Sequence, residues 1–266
     1  ENKGGVFPIQ DALLNYYRAA WEEYIIFNDP YNVVFDVLRD EYERAVDLIG
    51  TGTLKDRHSY NPEEHLAQHL MLLYVWGRLD LNEPSGLLER FFARASNDLR
   101  AYAVALFRQS FSPDANELSD AFLERLRALW MHRLEAVRRD ASLRDELVSF
   151  GWWVPSEQFE PRWMLLRLKE TLELAGWVEP DHMVVKRLSA LAPAEPLLTI
   201  ECMAMMVEGA KEDWEIDGWS SEASVVFAAI LAGPDEQARQ KARDLINSLA
   251  ARGHLGFAGL LRGGKP

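Results

Sequence analysis

The sequence predicts an all-α protein, arranged as an irregular α-solenoid of about five to six antiparallel helix pairs. Apolar residues recur with helical spacing from Leu13 to Leu261, and no segment shows the alternation typical of a strand. Prolines and glycines stand where helices are expected to begin and end. Helix-pair starts near residues 117, 162, 196 and 235 give an irregular period of roughly 35 to 45 residues.

The first two elements are predicted to be an antiparallel helix pair. A turn signal, Asn28-Asp29-Pro30, separates two apolar stripes. A polar loop follows, and Asn61-Pro62-Glu63-Glu64 then predicts the start of a third helix, because it combines an N-cap, a first-turn proline and a capping-box glutamate. The two stripes consist of Leu13, Tyr17, Ala20, Tyr24 and Phe27, and of Val34, Leu38, Tyr42, Ala45 and Ile49.

The remaining elements are predicted from stripes and end signals. Ser142 with Asp145 is predicted to cap a short helix that ends at Phe150-Gly151. Prolines at both ends of residues 155–161 predict a joint between an N-terminal helical part, 1–154, and a C-terminal helical-repeat part, 162–266. The two parts are expected to form one continuous solenoid, as a fragment of a longer chain. Helices are predicted near 87–95, 98–111, 122–137, 162–175, 182–192, 196–208, 220–232 and 235–252, and Gly176, Gly209, Gly233 and Gly253 mark four of the ends.

The period is typical of degenerate two-helix repeats of the HEAT or armadillo kind. A short pattern recurs, because Arg100, Ala103 and Leu106 have counterparts in Arg239, Ala242 and Leu245. A small alanine lets two helices approach closely, the leucine fills the core, and an arginine at the edge can pair between repeats.

Composition narrows the function classes. The net charge is −13, which disfavours nucleic-acid binding unless residues 86–139 gather their arginines on one face. No apolar stretch reaches the ~20 residues of a membrane-spanning helix. The single cysteine, Cys202, lies in an apolar run and is interpreted as a small buried hydrophobe in a reducing compartment. The sequence therefore predicts a cytoplasmic protein. Because it has no spanning stretch, it is also predicted to have no membrane partner.

The C-terminal half resembles a poorly characterised helical region of large bacterial multidomain proteins, some of which carry P-loop NTPase or sirtuin-like domains upstream. The matching residues are Phe150-Gly151-Trp152-Trp153, Trp163, the stretch 191–197, and residues 244–246 with Leu249 and Gly253. The resemblance covers about half of the chain, roughly residues 142–261. Because these are packing residues, it implies a helical fold, a longer parent protein and a context in prokaryotic defence, and it assigns no catalytic residue.

Two histidines form one candidate metal site. His65 and His69 stand four residues apart on a predicted helix, so both imidazoles share one face, and His58 in the preceding loop is a possible third ligand. The intervening residues, Leu66-Ala67-Gln68, lack the glutamate of a metalloprotease helix, and the preceding Glu64 is better explained as the capping-box partner of Asn61. The alternative interpretation is the polar edge of an amphipathic helix.

An acidic, tryptophan-rich stretch is the second candidate. Asp213, Glu215 and Asp217 before Gly218 resemble the opening of a calcium loop, although Ser224 occupies the position of the bidentate glutamate. The alternative is an acidic contact surface beside a Met-rich helix with Met203, Met205 and Met206, which is adaptable enough to bind a partner. The predicted partner-binding residues are Trp152, Trp153, Asp213, Trp214, Glu215, Asp217 and Trp219.

No other motif demands reactivity, so the sequence favours a protein without enzymatic activity and without a cofactor. The predicted function is a helical-repeat scaffold that binds a protein or peptide, or other domains of its parent chain. The alternative is a metal-dependent hydrolase, in which zinc held by His65 and His69 would activate a water molecule.

Overall fold

A computed structural model describes residues 30–52, 61–83, 86–111, 118–210 and 212–262. Every regular element in these ranges is helical, and they contain no strand, which confirms the predicted all-α class. The predicted first stripe, Leu13 to Phe27, lies outside the described residues. In the part of the chain that is described, no helix is both long enough and apolar enough to cross a membrane.

The chain divides into two compact units, Glu1–Ala103 and Val104–Pro266. The division does not coincide with the joint predicted at residues 155–161, which lie inside the second unit. Within that segment Ser156 and Phe159 are buried, so the segment is packed against its own unit.

The first unit contains helices α1 (Pro30–Asp47), α2 (Pro62–Val75) and α3 (Leu87–Arg94), followed by α4 (Asn97–Ala105), which reaches into the second unit. Helices α1, α2 and α3 pack against one another. Their contact surface is apolar and buried, as expected for helices held mainly by tertiary packing. Its fully buried side chains include those of Val46, Leu70, Met71 and Phe91.

Asn61 begins α2 as the sequence predicts. Its Oδ1 accepts hydrogen bonds from the backbone N–H groups of Glu63 at 3.1 Å and Glu64 at 3.4 Å. Its Nδ2 donates to Glu64 Oε1 at 2.8 Å, which completes a reciprocal cap. Pro62 occupies the first helical turn, where a missing N–H costs no helical hydrogen bond.

The second unit alternates longer helices with short connections. Three 3₁₀ segments, Leu106–Phe111, Ala141–Trp153 and Leu255–Arg262, stand among its α-helices. The Ala141–Trp153 segment is capped by Asp140, whose carboxylate accepts a hydrogen bond from Ser142 N at 3.0 Å, and not by Ser142 as predicted. The α-helices are α5 (Asp120–Arg139), α6 (Pro161–Ala175), α7 (Asp181–Leu191), α8 (Pro196–Gly209), α9 (Asp213–Gly218), α10 (Ser220–Ala232) and α11 (Glu236–Ala251).

Helix contacts in this unit form two parallel series. In one series α5 packs on α6, α6 on α8, and α8 on α11. In the other, the Ala141–Trp153 segment packs on α7, α7 on α10, and α10 on the Leu255–Arg262 segment. The two series also contact each other along their length, for example α6 with the Ala141–Trp153 segment and α8 with α10.

An aromatic cluster fills the start of this unit. Trp130 stacks on Phe150 at a centroid distance of 5.0 Å, and Trp153 meets both rings edge-on. Both indole N–H groups are satisfied, Trp130 by Thr171 Oγ1 at 2.9 Å and Trp153 by the Val104 carbonyl at 3.0 Å. Large buried aromatic rings with satisfied polar groups dominate the packing energy of such a core.

Ion pairs link successive helices of the first series. Arg138 on α5 pairs with Glu170 on α6 at 2.9 Å. Lys169 on α6 and Lys241 on α11 both pair with Glu201 on α8, at 2.8 and 3.2 Å. The hydrogen bond between Lys169 and Glu201 lowers the pKa of Glu201 and raises that of Lys169. Because these pairs are partly exposed, each contributes little to the free energy of unfolding. Their main effect is to favour one alignment of the neighbouring helices.

The recurring arginines make equivalent contacts. The Arg100 guanidinium donates to the carbonyl of Ala95, which ends α3, and Arg239 donates to the carbonyl of Gly233, which ends α10, at 3.0 Å. Each arginine thus satisfies an orphan carbonyl at the end of the preceding helix. Ala103 and Ala242 are fully buried, as a close helix contact requires.

Candidate functional site

A cleft of about 330 Å³ opens in the second unit where three chain segments meet. They are the connection from α6 to α7, the end of α8, and helix α9 with its C-cap. We call it the tryptophan cleft, and its lining residues are Trp177, Val178, Glu179, Asp181, Met206, Gly209, Ala210, Trp214, Glu215 and Trp219.

The three indoles of the cleft differ in exposure. Trp214 on α9 is 69% exposed, which is unusual for so large an apolar side chain. Trp177 is half-buried, and Trp219 is buried at 2% exposure. Trp219 donates its indole N–H to Asp181 Oδ2 at 3.2 Å. This bond joins the C-cap of α9 to the first residue of α7, so Trp219 forms a fixed wall and Trp214 an open one.

Carboxylates provide the polar part of the cleft. Glu179, Asp181 and Glu215 line it, and none of its described lining residues is a lysine or an arginine. Asp181 is anchored on both oxygens, because Oδ1 also accepts from His182 N at 2.7 Å. Its position in the first turn of α7 is favourable for a negative charge. The cleft is therefore both aromatic and acidic.

A close backbone contact holds two of the segments together. Gly209 is the last residue of α8, and a Cβ there would overlap the carbonyl oxygen of Gly176. Gly176 is the C-cap of α6 and has a φ of 83°, a left-handed conformation that favours glycine. The two glycines bring the end of α8 against the connection that carries Trp177.

Three of the predicted partner-binding residues, Trp214, Glu215 and Trp219, come together in this cleft. Asp213 begins the same short helix, and Asp217 points to His254, with 3.3 Å between Oδ1 and Nδ1. Sequence reasoning did not assign Trp177, Glu179 and Asp181 to a site. The enrichment of tryptophan between residues 152 and 219 was the available signal for Trp177.

Trp152 and Trp153 have other environments. Trp153 is fully buried in the aromatic cluster and donates its indole N–H to the carbonyl of Val104, so it is not accessible to a binding partner, contrary to the prediction from the sequence. Trp152 is half-buried beneath the guanidinium of Arg108, 5.5 Å from the ring centroid. Neither residue lines the tryptophan cleft.

The acidic stretch does not have the geometry of a calcium loop. Residues Asp213–Gly218 form a helical turn where the sequence predicts a loop. On a helix, residues two positions apart project from nearly opposite sides, so alternate oxygens do not converge on one ion. The described residues contain no cluster of three or more histidine, cysteine, aspartate or glutamate side chains with metal-site geometry.

His65 and His69 lie on α2, as predicted, with His69 buried and His65 partly so. Tyr42 meets the His69 ring edge-on at 6.3 Å. His58, the predicted third ligand, lies outside the described residues. Burial lowers the pKa of His69 to about 3, with a smaller contribution from His65, whose own pKa is lowered by burial. The zinc site stays a prediction, and the observed contact of His69 is core packing.

His69 gives the first unit a specific pH dependence. Its pKa of about 3 when folded lies below the unfolded value of 6.5, so its contribution to stability is complete above pH 6.5 and is lost as the pH falls towards 3. Glutamine does not titrate. We therefore expect the His69→Gln protein to lose about 2 kcal/mol less unfolding free energy than the wild type when the pH falls from 7 to 5. Urea unfolding of both proteins at the two pH values measures this difference. Equal losses in the two proteins would show that His69 is not buried as a neutral group.

Cys202 is a packing residue, as the sequence predicts. It is fully buried on α8, and its Sγ lies 3.6 Å from the carbonyl oxygen of Leu165. Burial raises the pKa of the thiol to about 12, so the reactive thiolate is not formed near neutral pH.

These features define an all-helical protein with an aromatic, acidic surface cleft. Comparisons of the chain with known protein families, with curated proteins and with solved structures give no match.

Proposed function

We propose that this chain is a non-enzymatic helical-repeat module that binds a protein or peptide partner through the tryptophan cleft. The partner is either a separate protein or another part of the parent chain. The observation that carries the proposal is the 69% exposure of Trp214 at a cleft that is also lined by the buried Trp219 and by three carboxylates. Exposed aromatic side chains beside pockets are the residues that most often dominate the energy of protein interfaces.

The packing of the second unit supports the repeat interpretation. Two parallel series of helices contact each other along their length, as the inner and outer helices of HEAT or armadillo repeats do. The predicted pair starts at 162, 196 and 235 fall within one residue of the observed starts of α6, α8 and α11, which are Pro161, Pro196 and Glu236. The fourth predicted start, at residue 117, comes three residues before the observed start of α5 at Asp120. In such repeats, functional residues collect in the connections at one edge, and the cleft is formed from connections and helix ends.

The hydrolase alternative receives no comparable support. His69 packs against Tyr42 in the core of the first unit, and the tryptophan cleft lies wholly in the second unit. A cytoplasmic location and a parent protein of bacterial defence remain predictions from the sequence.

A peptide-display selection tests the proposal. A random peptide library is selected on the wild-type protein and counter-selected on Trp214→Ala, and Leu255→Ala serves as a control because Leu255 is exposed to a similar extent, 68%. We expect selected peptides that bind Trp214→Ala at least roughly 30-fold more weakly, the loss typical of an interface hot spot. Binding to Leu255→Ala should be unchanged.

Thermal unfolding provides the second control. Since Trp214 is largely exposed, Trp214→Ala should change the free energy of unfolding by no more than about 0.5 kcal/mol. The proposal fails if no selected peptide depends on Trp214, or if every dependence is explained by unfolding of the variant.

A further inference from the structure

We infer that the tryptophan cleft receives an arginine side chain from a basic peptide segment of the partner. This inference rests on the proposed function and adds the chemistry of the group that is recognised. Three observations support it: the acidic lining of the cleft, the exposed indole of Trp214, and the arginines that lie over the half-buried indoles of Trp152 and Trp163.

The charge of the cleft is complementary to a cation. Its lining includes three carboxylates, and none of its described residues is a lysine or an arginine. Asp181 is occupied by the Trp219 indole and the His182 backbone. Glu179, in contrast, is exposed, and its carboxylate makes no hydrogen bond or ion pair with a described side chain, so it is available to a ligand. The net charge of −13 further favours the approach of a basic segment.

The protein places its own arginines on other indoles of this unit. Arg108 lies over Trp152 at 5.5 Å, and Arg127 lies over Trp163 at 5.6 Å. Both rings are half-buried and keep one face open to these guanidinium groups. Trp214 is more exposed than either, and no arginine among the described residues covers it. A guanidinium from a partner would complete the same cation–π contact there.

Arginine fits the cleft better than lysine. A planar guanidinium can stack on an indole while its N–H groups bind a carboxylate in two-point geometry, whereas an ammonium is a compact, strongly hydrated point charge. The cleft supplies both elements, with Trp214 as the stacking face and Glu179 as the carboxylate. The half-buried side chain of Trp177 also lines the cleft and provides an apolar contact for the methylene stem.

Other occupants fit less well. An apolar helix docked on Trp214 would remove the carboxylate of Glu179 from water without a partner, which is unfavourable for a charged group. An acidic peptide would be repelled by the same groups. At about 330 Å³, the cleft is also at the small end of ligand pockets, which suits a single inserted side chain.

Three short capped peptides test the inference. They have the sequence Gly-Gly-X-Gly-Gly, where X is arginine, lysine or citrulline, and citrulline is the neutral near-isostere of arginine. Each is titrated into the full chain up to millimolar concentration, and binding is followed by the NMR shift of the Trp214 indole N–H. We expect the arginine peptide to bind roughly tenfold more tightly than the citrulline peptide, with lysine between them.

Matched variants locate the site. Trp214→Ala and Glu179→Gln should each weaken the arginine peptide by roughly five- to tenfold. Asp244→Asn removes an exposed carboxylate on α11, outside the cleft, whose hydrogen bond to Gln240 an amide can retain, so it should leave binding unchanged. Higher salt should weaken the arginine peptide and not the citrulline peptide.

The outcomes separate this inference from the proposed function. Equal binding of the arginine and citrulline peptides, or no binding of any of the three, overturns the arginine inference. If display-selected peptides then still depend on Trp214, the proposed function stands with a different side chain in the cleft. If neither the short peptides nor the library yields Trp214-dependent binding, both proposals are wrong.

Discussion

Replacing Glu146 by alanine is expected to lower the free energy of unfolding of the second unit by about 3–5 kcal/mol. Glu146 lies in the Ala141–Trp153 segment, and its Oε1 accepts from Arg133 Nε on α5 at 2.7 Å. Both side chains are buried, at 0% and 3% exposure. Truncation would leave the Arg133 guanidinium buried without its counter-charge, and that desolvated charge is the source of the large effect. Urea unfolding, followed by the fluorescence of the aromatic cluster, measures it.

Two further variants test the cause. Glu124→Ala breaks an exposed ion pair with Arg127 on the same helix and should cost less than about 1 kcal/mol. Replacing Arg133 and Glu146 together by methionine removes both charges at similar volume, and this double variant should recover most of the stability lost in Glu146→Ala. If Glu146→Ala costs no more than Glu124→Ala, the pair does not carry the energetic role that its burial implies.

Local features of this fold could be predicted from sequence because they are decided within a few residues. Asn61 caps α2, and Pro62, Pro161 and Pro196 each occupy the first turn of a helix, as their types predict. Gly176 ends α6 in the left-handed conformation that glycine favours. Each of these outcomes depends on backbone groups of the same segment and requires no knowledge of the tertiary structure.

Burial of single aromatic residues could not be predicted in this way. Trp152 and Trp153 are adjacent, and only the second enters the core. The segment around them is apolar on several sides, so its periodicity does not show which ring turns inwards. The choice is made by tertiary contacts, since Trp153 finds the Val104 carbonyl and the rings of Trp130 and Phe150.

The predicted joint at 155–161 illustrates a related ambiguity. Prolines mark both flexible linkers and the first turns of helices, and Pro161 has the second role as the first residue of α6. Phe159, the aromatic residue between the two prolines, is buried against Trp153 and Trp163. A proline-bracketed segment with a large aromatic residue is therefore better interpreted as a packed connection.

The candidate cleft was predicted in part. Trp214, Glu215 and Trp219 lie close in sequence, so their enrichment was visible. Trp177, Glu179 and Asp181 come from a connection roughly 35 residues earlier, and they join the cleft because α7 packs on α10 and Gly209 meets Gly176. Contacts over such sequence distances are properties of the fold, and a single sequence carries no direct signal for them.

A second large effect on stability is expected at the close contact of Gly209 with Gly176. Gly209→Ala is expected to cost roughly 3 kcal/mol of unfolding free energy, at the upper end for overpacking by one methyl group. The new Cβ would overlap the backbone carbonyl oxygen of Gly176, and no rotation of a side chain can relieve a backbone clash. The end of α8 would have to move away from the connection that carries Trp177.

This displacement should also affect the cleft, because Gly209 and Trp177 both line it. We expect Gly209→Ala to lose Trp214-dependent peptide binding even at temperatures where the variant remains folded, as judged by circular dichroism. Gly218→Ala is the matched control, since Gly218 also ends a helix and a Cβ there would meet open space. That control should stay within about 0.5 kcal/mol of the wild type and retain binding. A Gly209→Ala protein as stable as Gly218→Ala would show that α8 and the Trp177 connection are not held in contact at these glycines.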